Sequence, residues 1–172
     1  MAHLYSRRDS PEHQGKLTGE HKYGDLGQAI IACLFFALWI SDSFFEYSTL
    51  LNQYIPNSVR IPVGIVLFIL AGYLAITGLY IVFVKKRAEP KVIRESVFRV
   101  VRHPIYLGEI LLYLGLLVLS ISLASLVILI IGIVFLHYIS RHEEKLLIAR
   151  FGEDYRQYMR EVPMWIPFIR RK

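Results

Sequence analysis

Along the chain, apolar residues gather into three long runs separated by short polar segments that are mostly basic. The first 25 residues are polar, carry Arg7, Arg8, Lys16 and Lys22, and lack an apolar stretch leading to a small-residue cleavage site. They read as a tail and not as a signal peptide. A first membrane span is expected from about Leu26 to Phe45, because ~20 residues at 1.5 Å each cross ~30 Å of hydrocarbon. Asp42 then falls near the interface. Asn52, Gln53, Pro56, Asn57 and Ser58 form a polar connection, and Pro62 suits the first turn of a second span, about Ile61 to Val84. Within that span Gly64, Gly72 and Gly78 offer places for another helix to approach closely. The third run, Ile105 to Ile139, would measure roughly 52 Å as one helix and must fold back on itself. Ser120, Ile121 and Ser122 mark its turn.

The expected fold is therefore all-α, a multi-pass integral membrane bundle of about four transmembrane helices with the last two as a tight hairpin. A polar tail (1–25) precedes a single membrane domain (26–172). A C-terminal amphipathic segment follows the bundle from Glu153 to Glu161, with Tyr155, Tyr158 and Met159 on its apolar side. Val162, Pro163, Trp165, Ile166, Pro167 and Phe168 read as an interfacial belt, and Tyr155 and Tyr158 as interface anchors.

Composition sharpens this picture. A hydrophobic fraction of 55% is too high for an ordinary soluble domain, and the mean hydropathy is +0.44. Lys and Arg number 20 against 14 Asp and Glu, and their placement is uneven. Four precede Leu26, one (Arg60) separates the first two spans, seven lie from Lys85 to Arg102, none at the serine turn and eight from Arg141 onward. That alternation predicts both termini and the 85–104 loop in the cytoplasm, in a cell membrane or endoplasmic reticulum membrane. It also argues against a nucleic-acid binder. The single cysteine, Cys33, excludes an intramolecular disulfide and a cysteine metal cluster built from this chain, and no metal site is expected.

Two polar segments carry the candidate chemistry. The first ends in Arg102-His103-Pro104-Ile105-Tyr106-Leu107-Gly108, where Pro104 suits a helix start and places Arg102 and His103 at a cap whose dipole favours an anionic group. The second is the exit of the last membrane helix, Ser140-Arg141-His142-Glu143-Glu144-Lys145-Leu146-Leu147, stopped by Gly152. The hairpin returns Glu143 and Glu144 to the side of His103. There they either receive a cationic ligand or form a solvated face on which Glu144 pairs with Arg141. Lys85, Lys86 and Arg87 read as anchors to anionic head groups. Glu109 faces either the bundle interior or the head groups. No phosphate-cradling glycine loop, HExxH pair or nucleophile with a positioned base appears.

The RHPxYxG block, followed some 35 residues on by Glu143-Glu144-Lys145-Leu146-Leu147 and Phe151-Gly152-Glu153-Asp154-Tyr155-Arg156-Gln157-Tyr158, resembles the isoprenylcysteine carboxyl methyltransferase and phospholipid methyltransferase superfamily. The resemblance covers about residues 80 to 169. It implies an enzyme using S-adenosylmethionine (SAM), with the cofactor-binding part at about 85–169 and a lipophilic or lipidated acceptor drawn from the membrane. By position it nominates Val92, Ile93, Phe98, His103, Pro104, Ile105, Tyr106, Glu143 and Glu144 for the cofactor. The residue types suit SAM, whose carboxylate, ammonium and sulfonium ask for a helix cap, carboxylates and aromatic faces respectively.

Three departures bear on the acceptor. Arg94-Glu95-Ser96-Val97-Phe98 lacks the glycine that relatives commonly carry in this loop, and Pro90 or Lys91 stands where the prenylcysteine enzymes tend to have a histidine. Those enzymes also hold the substrate carboxylate with an arginine four residues before the cofactor glutamate, where this chain has Ile139. Arg141 lies about 200° further around the helix. Arg141 and Glu109 are the candidate catalytic residues, and the acceptor is an isoprenylcysteine-like carboxylate, a phospholipid amine or a thiol. A second resemblance, to membrane sterol reductases that use a nicotinamide cofactor, rests on the Val162-Pro163-Met164-Trp165-Ile166-Pro167 ending. A non-catalytic adaptor on the same scaffold is a third expectation.

Overall fold

A computed structural model describes residues 24–49, 53–85 and 90–167. Residues 1–23 of the polar tail, Lys86 and Arg87 of the basic loop, Asn52 of the first connection and Phe168 of the belt lie outside the described residues, while Gly24 and Asp25 already belong to the first helix. Helix α1 spans Gly24–Phe45 and α2 Asn57–Leu79, the latter continuing as a π-helical turn, Tyr80–Val84. A 3₁₀ turn, Ser96–Arg99, leads into α3, Pro104–Ser120, then α4, Leu123–Phe151, and α5, Glu153–Glu161. The architecture is the expected all-helical membrane bundle. Among the described residues three helices are long and apolar enough to cross a bilayer, and α3, at 17 residues, is the shorter partner of α4 in the hairpin.

The apolar residues are arranged for lipid and not for water. Ile69, Ile76, Val134 and many of their neighbours are exposed, while the buried core consists of small separate clusters. In water such exposed apolar area would be a liability, whereas hydrocarbon covers it at no cost and leaves the helices to satisfy their own backbone. At 29 residues and ~1.5 Å each, α4 is about 43 Å long, so its charged last turns project beyond a ~30 Å core.

Close backbone approach joins α2 to α3. A Cβ on Gly108 would lie 2.9 Å from the Ala71 carbonyl oxygen, so only glycine fits there. Gly64 and Gly78 meet Leu119 and Ile105 as expected of contact positions, but Gly72 faces open space and is no part of the contact. Helix α1 joins through Phe35, stacked on Tyr113 at 4.5 Å between ring centroids, and through the Trp39 indole N–H donated to the Leu116 carbonyl at 2.9 Å.

The hairpin turn falls where the serines predicted it. Ile121 takes a left-handed conformation (φ 49°) and donates its N–H to Leu117, and the Ser122 hydroxyl caps α4 by accepting from the Ser125 N–H at 3.1 Å. The α1–α2 connection is clamped onto this turn. Asp42, in the last turn of α1, is fully buried, accepting from the Ser48 N–H at 2.8 Å and from its hydroxyl. Ser48 in turn accepts from the N–H groups of Leu123 and Ala124, and the Arg60 guanidinium donates to the Leu119 carbonyl.

Candidate functional site

The opposite end of the bundle gathers the start of α3, the exit of α4 and the C-terminal segment. Proline at the first position of α3 removes one backbone donor, and His103 makes no side-chain cap. The N–H groups of Arg102 and His103 donate to the carbonyls of Pro163 (2.9 Å) and Met164 (3.3 Å), pinning the chain after α5 across the cap. The expected open anion cap is therefore occupied by the protein's own carbonyls at these two positions. Helix α5 docks through the Tyr158 hydroxyl, which donates to the Phe98 carbonyl at 2.6 Å, and through Arg94, which pairs with Asp154 at 2.6 Å and Glu161 at 3.3 Å.

Behind this strap lies a buried ion cluster. The Arg102 guanidinium pairs with Glu144 Oε1 at 2.7 Å and donates to the carbonyls of Met159 (3.0 Å) and Val162 (2.5 Å). His103 lies between two carboxylates, with Nδ1 3.5 Å from Glu143 and Nε2 3.4 Å from Glu144. The Tyr106 hydroxyl donates to Glu143, and its ring stacks beside that of His103 at 5.7 Å between centroids. Burial pulls the His103 pKa down, but the two flanking carboxylates, Glu143 first, outweigh it and raise the pKa above its ordinary value. With His103 protonated the cluster balances two cations against two anions. Three solvent-shielded polar atoms here have no hydrogen-bond partner: His103 Nε2, Glu144 Oε2 and the hydroxyl of Ser140, one turn before Glu144 on α4.

His103, Tyr106, Glu143 and Glu144 are thus brought together, and the solvated face on which Glu144 pairs only with Arg141 is not what forms. Glu144 is 2% exposed, and its contact to Arg141 is the long one at 3.7 Å. The other nominated residues lie around the cluster. Val92 packs with Tyr155, Tyr158 and Val162; Ile93 and Phe98 pack with Ile81 and Val97; Ile105 abuts Gly78 on α2, with Pro104 beside it. Tyr155 and Tyr158 are consequently core residues and not interface anchors, and the segment after α5 is a strap over the cap and not a simple belt. Glu109 takes the interior alternative, accepting from the Tyr113 hydroxyl at 2.8 Å. Ile139 is buried and Arg141 is exposed on another face of α4. Sequence reasoning left out two contributors: Arg102 as the partner of Glu144, signalled by its adjacency to His103, and Ser140, for which no signal exists.

Comparison with known proteins adds three findings. A family model described as 3-oxo-5-alpha-steroid 4-dehydrogenase matches residues 24–170. A methanethiol S-methyltransferase from Crocosphaera subtropica is 35% identical over 94 residues, which is 54% of this chain and 36% of that relative. No solved structure matches. The chain therefore spans only about a third of that relative's length. The long apolar helices are those of a multi-pass membrane bundle. The chain belongs to the 3-oxo-5-alpha-steroid 4-dehydrogenase family, within the isoprenylcysteine carboxyl methyltransferase-like superfamily of membrane proteins.

Proposed function

We propose that the protein is a SAM-dependent methyltransferase acting at the cytoplasmic membrane face, with both termini on that side, and that its acceptor is a thiol or another neutral lipophilic nucleophile. The observation that carries this reading is the buried cluster of His103, Tyr106, Glu143 and Glu144 with three unsatisfied polar atoms around it. Such atoms are costly unless a polar ligand meets them. The donor set fits the amino-acid end of SAM. Glu143 offers a carboxylate to an ammonium, and His103, with its raised pKa, offers a cationic donor to a carboxylate. When bound, SAM supplies an electrophilic methyl group on a sulfonium sulfur.

The protein's own contribution is orientation and exclusion of water. Arg102 fixes Glu144 and holds the C-terminal strap closed over the cluster, while Tyr106 orients Glu143. Glu109, one turn further into α3, is assigned the proton that a thiol S–H gives up on becoming a thioether. Ile139 in place of a carboxylate-holding arginine disfavours a carboxylate acceptor, and the methanethiol S-methyltransferase relative supports a thiol. Val92, Ile93, Phe98, Pro104 and Ile105 act as apolar walls and spacers for the loop and cap.

Calorimetric titration with S-adenosylhomocysteine is expected to show binding to the wild type and its loss in Glu143→Ala and His103→Ala. Unaltered binding in both variants overturns the assignment. Incubation with labelled SAM, a panel of thiols and a total lipid extract then identifies the acceptor. A second reading, an NADPH-dependent reductase, is favoured by the family's description and by the Val162-Pro163 strap. It predicts that NADPH, and not S-adenosylhomocysteine, raises the melting temperature.

A further inference from the structure

Outside the ion cluster, a half-open cleft of about 290 Å³ lies between the outer face of α4 and the strap after α5. Its walls differ in character. Arg141 and His137 come from α4, Trp165 and Ile166 from the strap, and Arg102 forms the floor between the cleft and Glu144. We propose that this cleft binds the phosphate ester of an amphiphile, with the Arg141 guanidinium and the Trp165 indole N–H as its donors.

Arg160 and Glu161 also border the cleft, but Arg160 is committed to Glu153 at 2.7 Å and Glu161 to Arg94 and Gln157 at 3.3 and 2.8 Å. Arg102 is held by Glu144 and two carbonyls. Among the described residues Arg141 has only the 3.7 Å contact to Glu144, too long for a hydrogen bond, and its side chain is 53% exposed. The cleft therefore keeps one guanidinium whose five donors can turn to a bidentate oxyanion.

The cleft wall also carries a donor lacking an acceptor. The Trp165 Nε1 is shielded from solvent and has no hydrogen-bond partner, while the ring is braced edge-on by His137 at 5.6 Å between centroids. A buried indole N–H ordinarily finds a partner. Arg141 stands two residues past Ile139, where α4 leaves the apolar run, and Ile166 on the strap is 57% exposed. A phosphate at this level has an acyl chain's natural path beside it. The volume lies at the small end for ligand pockets, which suits a headgroup and not a whole dinucleotide.

The test uses the full-length protein in neutral detergent with a Trp39→Phe background, leaving Trp165 as the fluorescent reporter. Dioctanoyl phosphatidylglycerol, glycerol 3-phosphate and dioctanoylglycerol are titrated separately. A saturable change in Trp165 emission is expected from the phosphate-bearing probes, and Arg141→Gln is expected to weaken it about tenfold. A tighter response to phosphatidylglycerol than to glycerol 3-phosphate supports an amphiphile, and the reverse overturns it in favour of a soluble ester. An equal response to dioctanoylglycerol, or an affinity unchanged by Arg141→Gln, overturns the proposal. Native mass spectrometry of the wild type and Arg141→Gln gives the same comparison without the Trp39 substitution. No arm uses S-adenosylhomocysteine, so failure here leaves the methyltransferase reading standing, and failure of that reading leaves this one.

Discussion

The two ends of the bundle each bury a carboxylate against a loop, yet they differ in what the carboxylate meets. At the hairpin turn Asp42 is met by the N–H and hydroxyl of Ser48, which also accepts from the start of α4, and by the hydroxyl of Ser122 in the turn itself. Every contact is local or ties one loop to one turn, a capping arrangement. At the other end Glu143 and Glu144 meet an arginine, a histidine and a tyrosine from a helix start some 40 residues away, and three polar atoms remain unsatisfied. Burial of charge alone does not mark a site. What sets the proposed site apart is a carboxylate pair met by charged partners, Arg102 and His103, from a distant helix start.

The comparison breaks most visibly at Arg102. Arg102→Met strands Glu144 in a buried place and releases the carbonyls of Met159 and Val162, so a loss of about 3–5 kcal/mol is expected on chemical denaturation in detergent. The double variant Arg102→Met/Glu144→Met should recover most of it, since no uncompensated charge remains. Asp42→Ala removes hydrogen bonds to Ser48 and Ser122 but strands no charge, and should cost about 1.5–3 kcal/mol in the same assay, with S-adenosylhomocysteine affinity retained. An Asp42→Ala variant that lost the ligand as well would erase the distinction between the two ends.

Glu143→Gln separates structure from recognition. The amide can still accept from Tyr106 and keeps the side chain's shape, so in alkaline buffer, where the His103 contribution is gone, stability should change little while S-adenosylhomocysteine affinity falls at least about tenfold. Equal loss of stability and affinity would make Glu143 a mere counterpart of Asp42.

Much of this was legible in the sequence, for physical reasons. Hydrophobic run lengths set the number of helices, and the Ser120-Ile121-Ser122 interruption set the turn because a 35-residue helix does not fit a bilayer. The convergence of His103 with Glu143 followed from the hairpin's geometry. The fate of Tyr155, Tyr158 and the strap was not legible: an amphipathic nine-residue helix looks the same whether its apolar face meets lipid or protein, and here Val92 covers it. Nor could the sequence show that Arg102 and not Arg141 would hold Glu144. The i,i+3 neighbour is always near, while the long-range partner depends on how the strap and cap pack.

Titration sharpens the comparison further. His103 faces Glu143, Glu144, Tyr106 and Arg102, and in the folded protein it holds its proton more tightly than in the unfolded chain. Its contribution is complete below the ordinary value of 6.5 and is lost as pH rises through the raised folded pKa. Denaturation midpoints should therefore decline with pH above about 6.5, and His103→Gln should flatten that decline. A slope unchanged by His103→Gln would locate the titrating group elsewhere.

The smallest effect tests what an unsatisfied atom means at each end. Ser125, at the start of α4, is fully buried with its hydroxyl unpartnered, and its only role in the cap is the backbone N–H that it gives to Ser122. Ser125→Ala preserves that N–H, removes the stranded hydroxyl and favours helix, so a neutral result or a gain of a few tenths of a kcal/mol is expected. Ser140→Ala deletes the equivalent orphan at the other end and should be as mild for the free protein. If Ser140 belongs to the site, however, its loss should also weaken S-adenosylhomocysteine binding, measured in the same calorimeter, whereas Ser125→Ala should leave that binding untouched. Identical behaviour of the two serines would mean that a buried orphan hydroxyl in this bundle reports only on packing.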